Sequence, residues 1–97
     1  MATTQICFAQ ASPDLQTIYA AGAVVESKTP SGSNQATTAV SRADHNVACV
    51  ATDTQVYVSF GSAPDATSDT IKFLVPAGQV RYFRLNNAGT KAAIVTG

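Results

Sequence analysis

The sequence has no tryptophan, one methionine, one histidine, one glutamate and three leucines in 97 residues. Leu, Glu, Lys and Met together number only 8, too few for a largely helical domain. Charged residues are 12% of the chain, about half the usual share of roughly 25%. Six basic residues cancel six acidic ones, so the basic surplus that grips nucleic acid or an anionic membrane is missing. No apolar run approaches the ~18 residues of a membrane-spanning helix. The first residues, Met1 to Ile6, lack the basic and apolar segments of a signal peptide, so export by that route is not expected.

What is present favours strands. Val, Ile, Thr, Phe and Tyr number 33, and these side chains suit a pleated surface. Hydrophobic residues make up 45% of the chain, too many for a disordered tail, although 17 of them are Ala. At this length one domain is expected over residues 1–97, because two would each be too small to bury a core.

Periodicity is clearest over residues 46–97. Val56, Val58 and Phe60 alternate with Tyr57 and Ser59, and Ile71, Phe73 and Val75 form a second inward set. Pro76 to Gly78 reads as the tight turn of a hairpin whose return strand is 79–85. That strand offers two competing faces, Val80/Tyr82 and Phe83/Leu85, which suggests a bulge or twist between Tyr82 and Phe83. Further strands are expected at 46–52, joined to Gln55 through Asp53 and Thr54, and at 91–96. In the first half, 4–9 is a strand with Ile6 and Phe8 on one face. Residues 17–27 read as one or two strands around Gly22, or as a short helical turn near Leu15 to Tyr19. Residues 29–34 read as an exposed loop tip, and 35–43 as another strand. Six to nine short strands with turn signals every 8–12 residues or so predict an all-β fold, a single small β-sandwich or jelly-roll-like domain.

Candidate chemistry is sparse. His45 is flanked by Asp44 and Asn46, but strand neighbours point to opposite faces, so Asp44 is poorly placed to orient it. Arg42 to Asn46 reads as a polar turn, and replacing His45 by Ala is expected to leave function intact. Of the six carboxylates, Asp14, Glu26, Asp44, Asp53, Asp65 and Asp69, four (Asp14, Asp44, Asp53 and Asp65) fall in turns, so solvated loop carboxylates are expected rather than a glycosidase pair. Asp65 and Asp69 bracket a loop without the dense pattern of a calcium site. Cys7 and Cys49 lie 42 residues apart with too few further ligands for zinc, and read as reduced, largely buried core residues. Arg81, Tyr82, Phe83 and Arg84 form the one basic-aromatic cluster, better explained as a strand with snorkelling Arg heads than as a nucleic-acid grip. No catalytic, cofactor-binding or metal residues are assigned, and no enzyme activity, cofactor, nucleic-acid partner or membrane partner is expected.

From Cys49 to Thr96 the chain carries a distinctive grammar: Val56, Val58, Phe60, Gly61, Pro64, Ala66 and Thr67, then Leu74, Pro76, Ala77, Gly78 and Phe83, then Gly89, Lys91, Ala93 and Ile94. This half resembles small all-β structural proteins of tailed bacteriophages, the decoration (cement) type among them. The resemblance implies a β-sandwich or jelly roll and a non-enzymatic place in the virion, assembled in the host cytoplasm. It also implies the major capsid protein as partner and a homo-oligomer, a trimer at local three-fold positions. Residues 1–45 carry no such resemblance and are expected to hold the docking segment. The alternative is a tail or fibre component, or a carbohydrate- or receptor-binding module. For sugar stacking, however, the chain offers only Tyr19, Tyr57 and Tyr82 and no tryptophan.

Overall fold

The computed structural model describes residues 3–11, 18–85 and 88–97. These form eight strands and, among the described residues, no helix: β1 (Thr4–Ala11), β2 (Ile18–Lys28), β3 (Gln35–Ala36), β4 (Val47–Thr52), β5 (Val56–Gly61), β6 (Phe73–Val75), β7 (Val80–Arg84) and β8 (Lys91–Thr96). The fold is all-β, as the composition predicted. Two four-stranded antiparallel sheets run in the orders β2-β1-β4-β7 and β3-β8-β5-β6. The pairs β3:β8, β4:β7 and β5:β6 nest about the β5–β6 connection and alternate between the sheets.

Alternation places the core. Ile6 and Phe8 from β1 and Ala48 and Val50 from β4 meet Val56, Val58, Val75, Ala92 and Ile94 from the other sheet, all buried. Each large aliphatic side chain so buried contributes about 1.5–3 kcal/mol, which is the main force joining the sheets. At the edge of this core the buried Thr4 and Thr52 face each other with hydroxyls 2.9 Å apart; the Thr52 hydroxyl donates to the Thr54 carbonyl at 2.6 Å and accepts from Thr4.

Four local expectations need correction. Pro76 to Gly78 is a tight turn, with Gly78 at φ 75° and the Gln79 N–H donating to the Pro76 carbonyl at 3.2 Å. It does not make a hairpin, because β6 pairs with β5 and β7 with β4. The Gly78 N–H donates to the Thr52 carbonyl at 2.9 Å, so the turn is tied to the end of β4 and delivers β7 into the opposite sheet. The expected bulge between Tyr82 and Phe83 is absent from a regular β4–β7 register, and the irregularity lies instead between Phe8 and Gln10, where β1 meets β2.

Ile71 precedes β6 and is 74% exposed, and of the expected inward set Val75 alone is buried. The strand expected over 35–43 shrinks to Gln35–Ala36. The chain beyond it is held by side chains, with the Glu26 carboxylate accepting the N–H groups of Thr38 and Ala39. Gly22, at φ 82°, does not interrupt β2, which continues as one strand. Of the alternative helical turn near Leu15 to Tyr19, Ile18 and Tyr19 belong to β2, and residues 15–17 lie outside the described residues.

Candidate interaction face

The two sheets treat their outward faces differently. On the β3-β8-β5-β6 sheet, the outward side chains Ala93 and Val95 pack with Ala66 and Tyr57, so the chain's own loop between β5 and β6 covers them. Two side chains anchor that loop. Asn34 accepts the Ala66 N–H at 2.8 Å and donates to the Pro64 carbonyl at 3.3 Å, as a strand partner would. Asp69 accepts the Ser59 hydroxyl and, at 3.0 Å, the Asp65 N–H. These donors favour the carboxylate and hold Asp69 below its ordinary range, the Ser59 hydroxyl contributing most.

The outward face of the β2-β1-β4-β7 sheet is covered only in part among the described residues: Ala9, Ala11 and Val47 are buried, while Val25, Val80 and Tyr82 stay exposed. The strand register lays out three rows across it. One runs Val25, Cys7, Cys49, Tyr82, and the next Ser27, Gln5, Ala51, Val80. The third holds Ala9, Val47 and Arg84, with Ala23 packed alongside. Val25, Val80 and Tyr82 are 52%, 45% and 50% exposed. Across these rows Arg84 is the one charged residue, so a partner could cover the face with little desolvation of charge.

The cysteines sit at the centre of this face. The expectation of two core residues is corrected by the pleat: Ile6 and Phe8 take the inward side of β1, which turns Cys7 outward and leaves both thiols half-buried. Partial burial pushes both thiols above their ordinary range. For Cys49 the neighbouring Cys7 adds to the rise and a Tyr82 hydrogen bond opposes it.

Beside the face, at the edge formed by β6 and β7, an open cleft of about 410 Å³ is lined by Phe60, Phe73, Phe83, Arg84, Leu85 and Thr90. The Phe83 ring stands between Phe60 and Phe73, with centroids 5.0 and 5.1 Å away in tilted contact. The basic-aromatic cluster is therefore split. Tyr82 and Arg84 take one side of β7 with Val80, while Phe83 turns into the core opposite Ala48, so the four residues make no single platform. Arg81 donates to Gln79 at 3.2 Å. The two competing apolar patterns in 79–85 were a readable sign that this strand carries an apolar surface on each side.

The remaining polar candidates have structural partners. His45 is buried, its Nδ1 accepting the Arg42 N–H at 3.0 Å and its Nε2 donating to the Gly22 carbonyl at 2.8 Å. Asp44 Oδ1 lies 3.9 Å from Nε2 on an exposed side chain. Asp53 accepts the Thr3 N–H at 2.8 Å, and Asp65 accepts that of Thr67 at 2.9 Å. Burial works to raise the Glu26 carboxyl, yet the Ala39 and Thr38 N–H groups, with Lys28 at 3.1 Å, hold it below its ordinary range. Asp14 lies outside the described residues. Among the described residues no three His, Cys, Asp or Glu side chains gather as a metal site.

No protein-family model, curated protein or solved structure matches this chain.

Proposed function

We propose that the chain is a non-enzymatic structural protein of a tailed-phage virion, a decoration or cement subunit that binds the major capsid protein. The observation that carries the reading is the exposed, uncharged part of the β2-β1-β4-β7 sheet around Val25, Tyr82 and Val80, opposite a sheet whose outward Ala93 and Val95 the chain covers for itself. A free surface bearing Val25, Val80 and Tyr82 beside thiols and small residues suits permanent burial against protein. The motif grammar of residues 49–96 supports the phage assignment, and with it a trimer and a place in the virion. The proposed docking surface combines β1 and β2 with β4 and β7. It is wider than residues 1–45, within which Val25 and Val40 are the exposed large hydrophobics among the described residues.

In this reading the two sheets stack as a sandwich with jelly-roll winding. The nested pairs β3:β8, β4:β7 and β5:β6 make one long two-stranded ribbon folded back and forth, and β1 beside β2 adds a fourth pair. Such winding leaves two outward faces, one for a covering loop and one for a partner.

The test is to measure the solution mass of the purified chain and to mix it with empty capsids of the phage that encodes it. Self-association and co-sedimentation with capsids are expected. A stable monomer that ignores capsids at micromolar concentration overturns the decoration reading. The aromatic cleft with Arg84 favours a second reading, a tail or receptor-binding module that takes an apolar or sugar group against the rings lining the cleft. Glycan-array binding that is lost in Phe73→Ala would favour it over decoration.

A further inference from the structure

Cys7 and Cys49 are direct cross-strand partners in the β1–β4 register. The Asp53 N–H donates to the Thr3 carbonyl, which sets the phase of this ladder. Pairs 3:53, 5:51 and 7:49 therefore share the hydrogen-bonded type, while Thr4 and Thr52 take the closer, non-hydrogen-bonded type with touching hydroxyls. A hydrogen-bonded antiparallel pair sets its Cα atoms about 5.5 Å apart. That lies within the roughly 4.4–6.8 Å window that a disulfide spans. Both side chains leave the sheet on its outward face, and neither is fully buried. Tyr82 is the cross-strand neighbour of Cys49 on β7.

We propose that Cys7 and Cys49 form a dithiol modification site, converted reversibly to an intramolecular disulfide by small-molecule disulfides of the oxidised-glutathione class. One cysteine, as its thiolate, attacks a sulfur of the small disulfide. A protein–glutathione bond forms, the original S–S bond breaks, and one glutathione thiolate leaves and takes up a proton. The second cysteine gives its proton to solvent and attacks the bonded protein sulfur. The Cys7–Cys49 bond forms and the second glutathione leaves as a thiol. In sum, two protein thiols are oxidised and one small disulfide is reduced to two thiols. The register favours the second step, because the attacking sulfur belongs to the residue directly opposite. The bridge links β1 to β4 across the centre of the face and closes a long loop, which raises resistance to unfolding. Both cysteines are only partly buried in the free chain, so the reaction there does not rest on what the face docks against.

The experiment equilibrates the full, purified, native chain in glutathione redox buffers, quenches with acid, and reads intact mass, free thiols and melting temperature. The expected result is loss of both thiols together, a mass lower by two hydrogens, and a digest that joins the Cys7 peptide to the Cys49 peptide. Dithiothreitol reverses all three, and the oxidised form melts at a higher temperature than the reduced one. In Cys7→Ser and Cys49→Ser the remaining thiol stops at the mixed disulfide. Thiols that persist in the most oxidising buffer overturn the proposal, as do stable glutathione adducts on the unmutated chain or bridges between two chains.

Discussion

The His45 imidazole and the Gly22 carbonyl meet at 2.8 Å, joining the turn before β4 to the middle of β2. The same carbonyl accepts Arg42 Nη2 at 2.7 Å, and His45 Nδ1 accepts the Arg42 N–H. The ring therefore bridges two backbone groups, one at each nitrogen. Gly22 serves this contact through its positive φ, which any L side chain would strain.

The first prediction concerns that bridge. His45→Ala leaves the Arg42 N–H without its acceptor and empties a buried position, at a cost of about 1–3 kcal/mol. Gly22→Ala costs a similar ~1–2 kcal/mol through backbone strain. Urea unfolding of both variants checks this. An unchanged midpoint for His45→Ala would mean the bridge contributes nothing, as a simple exposed turn would.

A second prediction follows from Asp69, whose carboxyl lies below its ordinary range chiefly because the Ser59 hydroxyl donates to it. A depressed folded-state value means the unfolded chain binds the proton first as pH falls. The Asp69 contribution is thus fully present above the ordinary carboxylate range and is lost as pH falls through the depressed folded value. Hydrogen exchange at the Asp65 and Ala66 amides should quicken in acid relative to the core strands, after correction for intrinsic rates. Asp69→Asn should show the loosened loop already at neutral pH.

The third prediction separates two neighbouring aromatic residues. Phe83 packs against the core and touches both Phe60 and Phe73, so Phe83→Ala should lose about 2–4 kcal/mol. Phe73 is 44% exposed, and Phe73→Ala should lose no more than about 1–2 kcal/mol. Equal losses in chemical denaturation would contradict this assignment of the two rings.

How far the sequence could be read depends on whether a feature is local. The alternation of Val56, Val58 and Phe60 is a property of one strand, and it predicted the inward set correctly. Pro76 to Gly78 announced a turn, but the partner of each flanking strand is a long-range matter, and the hairpin expectation failed there. Cys7 and Cys49 were read as core because their strands are apolar. Their true position follows from the phase of Ile6 and Phe8, which was legible, and from the β1–β4 register, which was not. His45 was legible as part of a turn, while its partner Gly22, 23 residues away, was not.

The last prediction tests the proposed docking face by charge. Val25 and Val80 are half-exposed at opposite ends of two neighbouring rows, so Val25→Lys and Val80→Lys should each change the stability of the isolated chain by no more than about 0.5 kcal/mol. In a complex that buries the face, the same change removes apolar contact and forces an unpaired ammonium out of water. A loss of about 2 kcal/mol per site, or roughly 30-fold in affinity, is a conservative expectation. Thr67→Lys provides the control, because Thr67 is exposed on the loop that covers the other sheet. Sedimentation with capsids, and the mass of the free chain in solution, should change for the two valine variants and not for Thr67→Lys. If all three variants behave alike while remaining folded by circular dichroism, the docking surface lies elsewhere on the molecule.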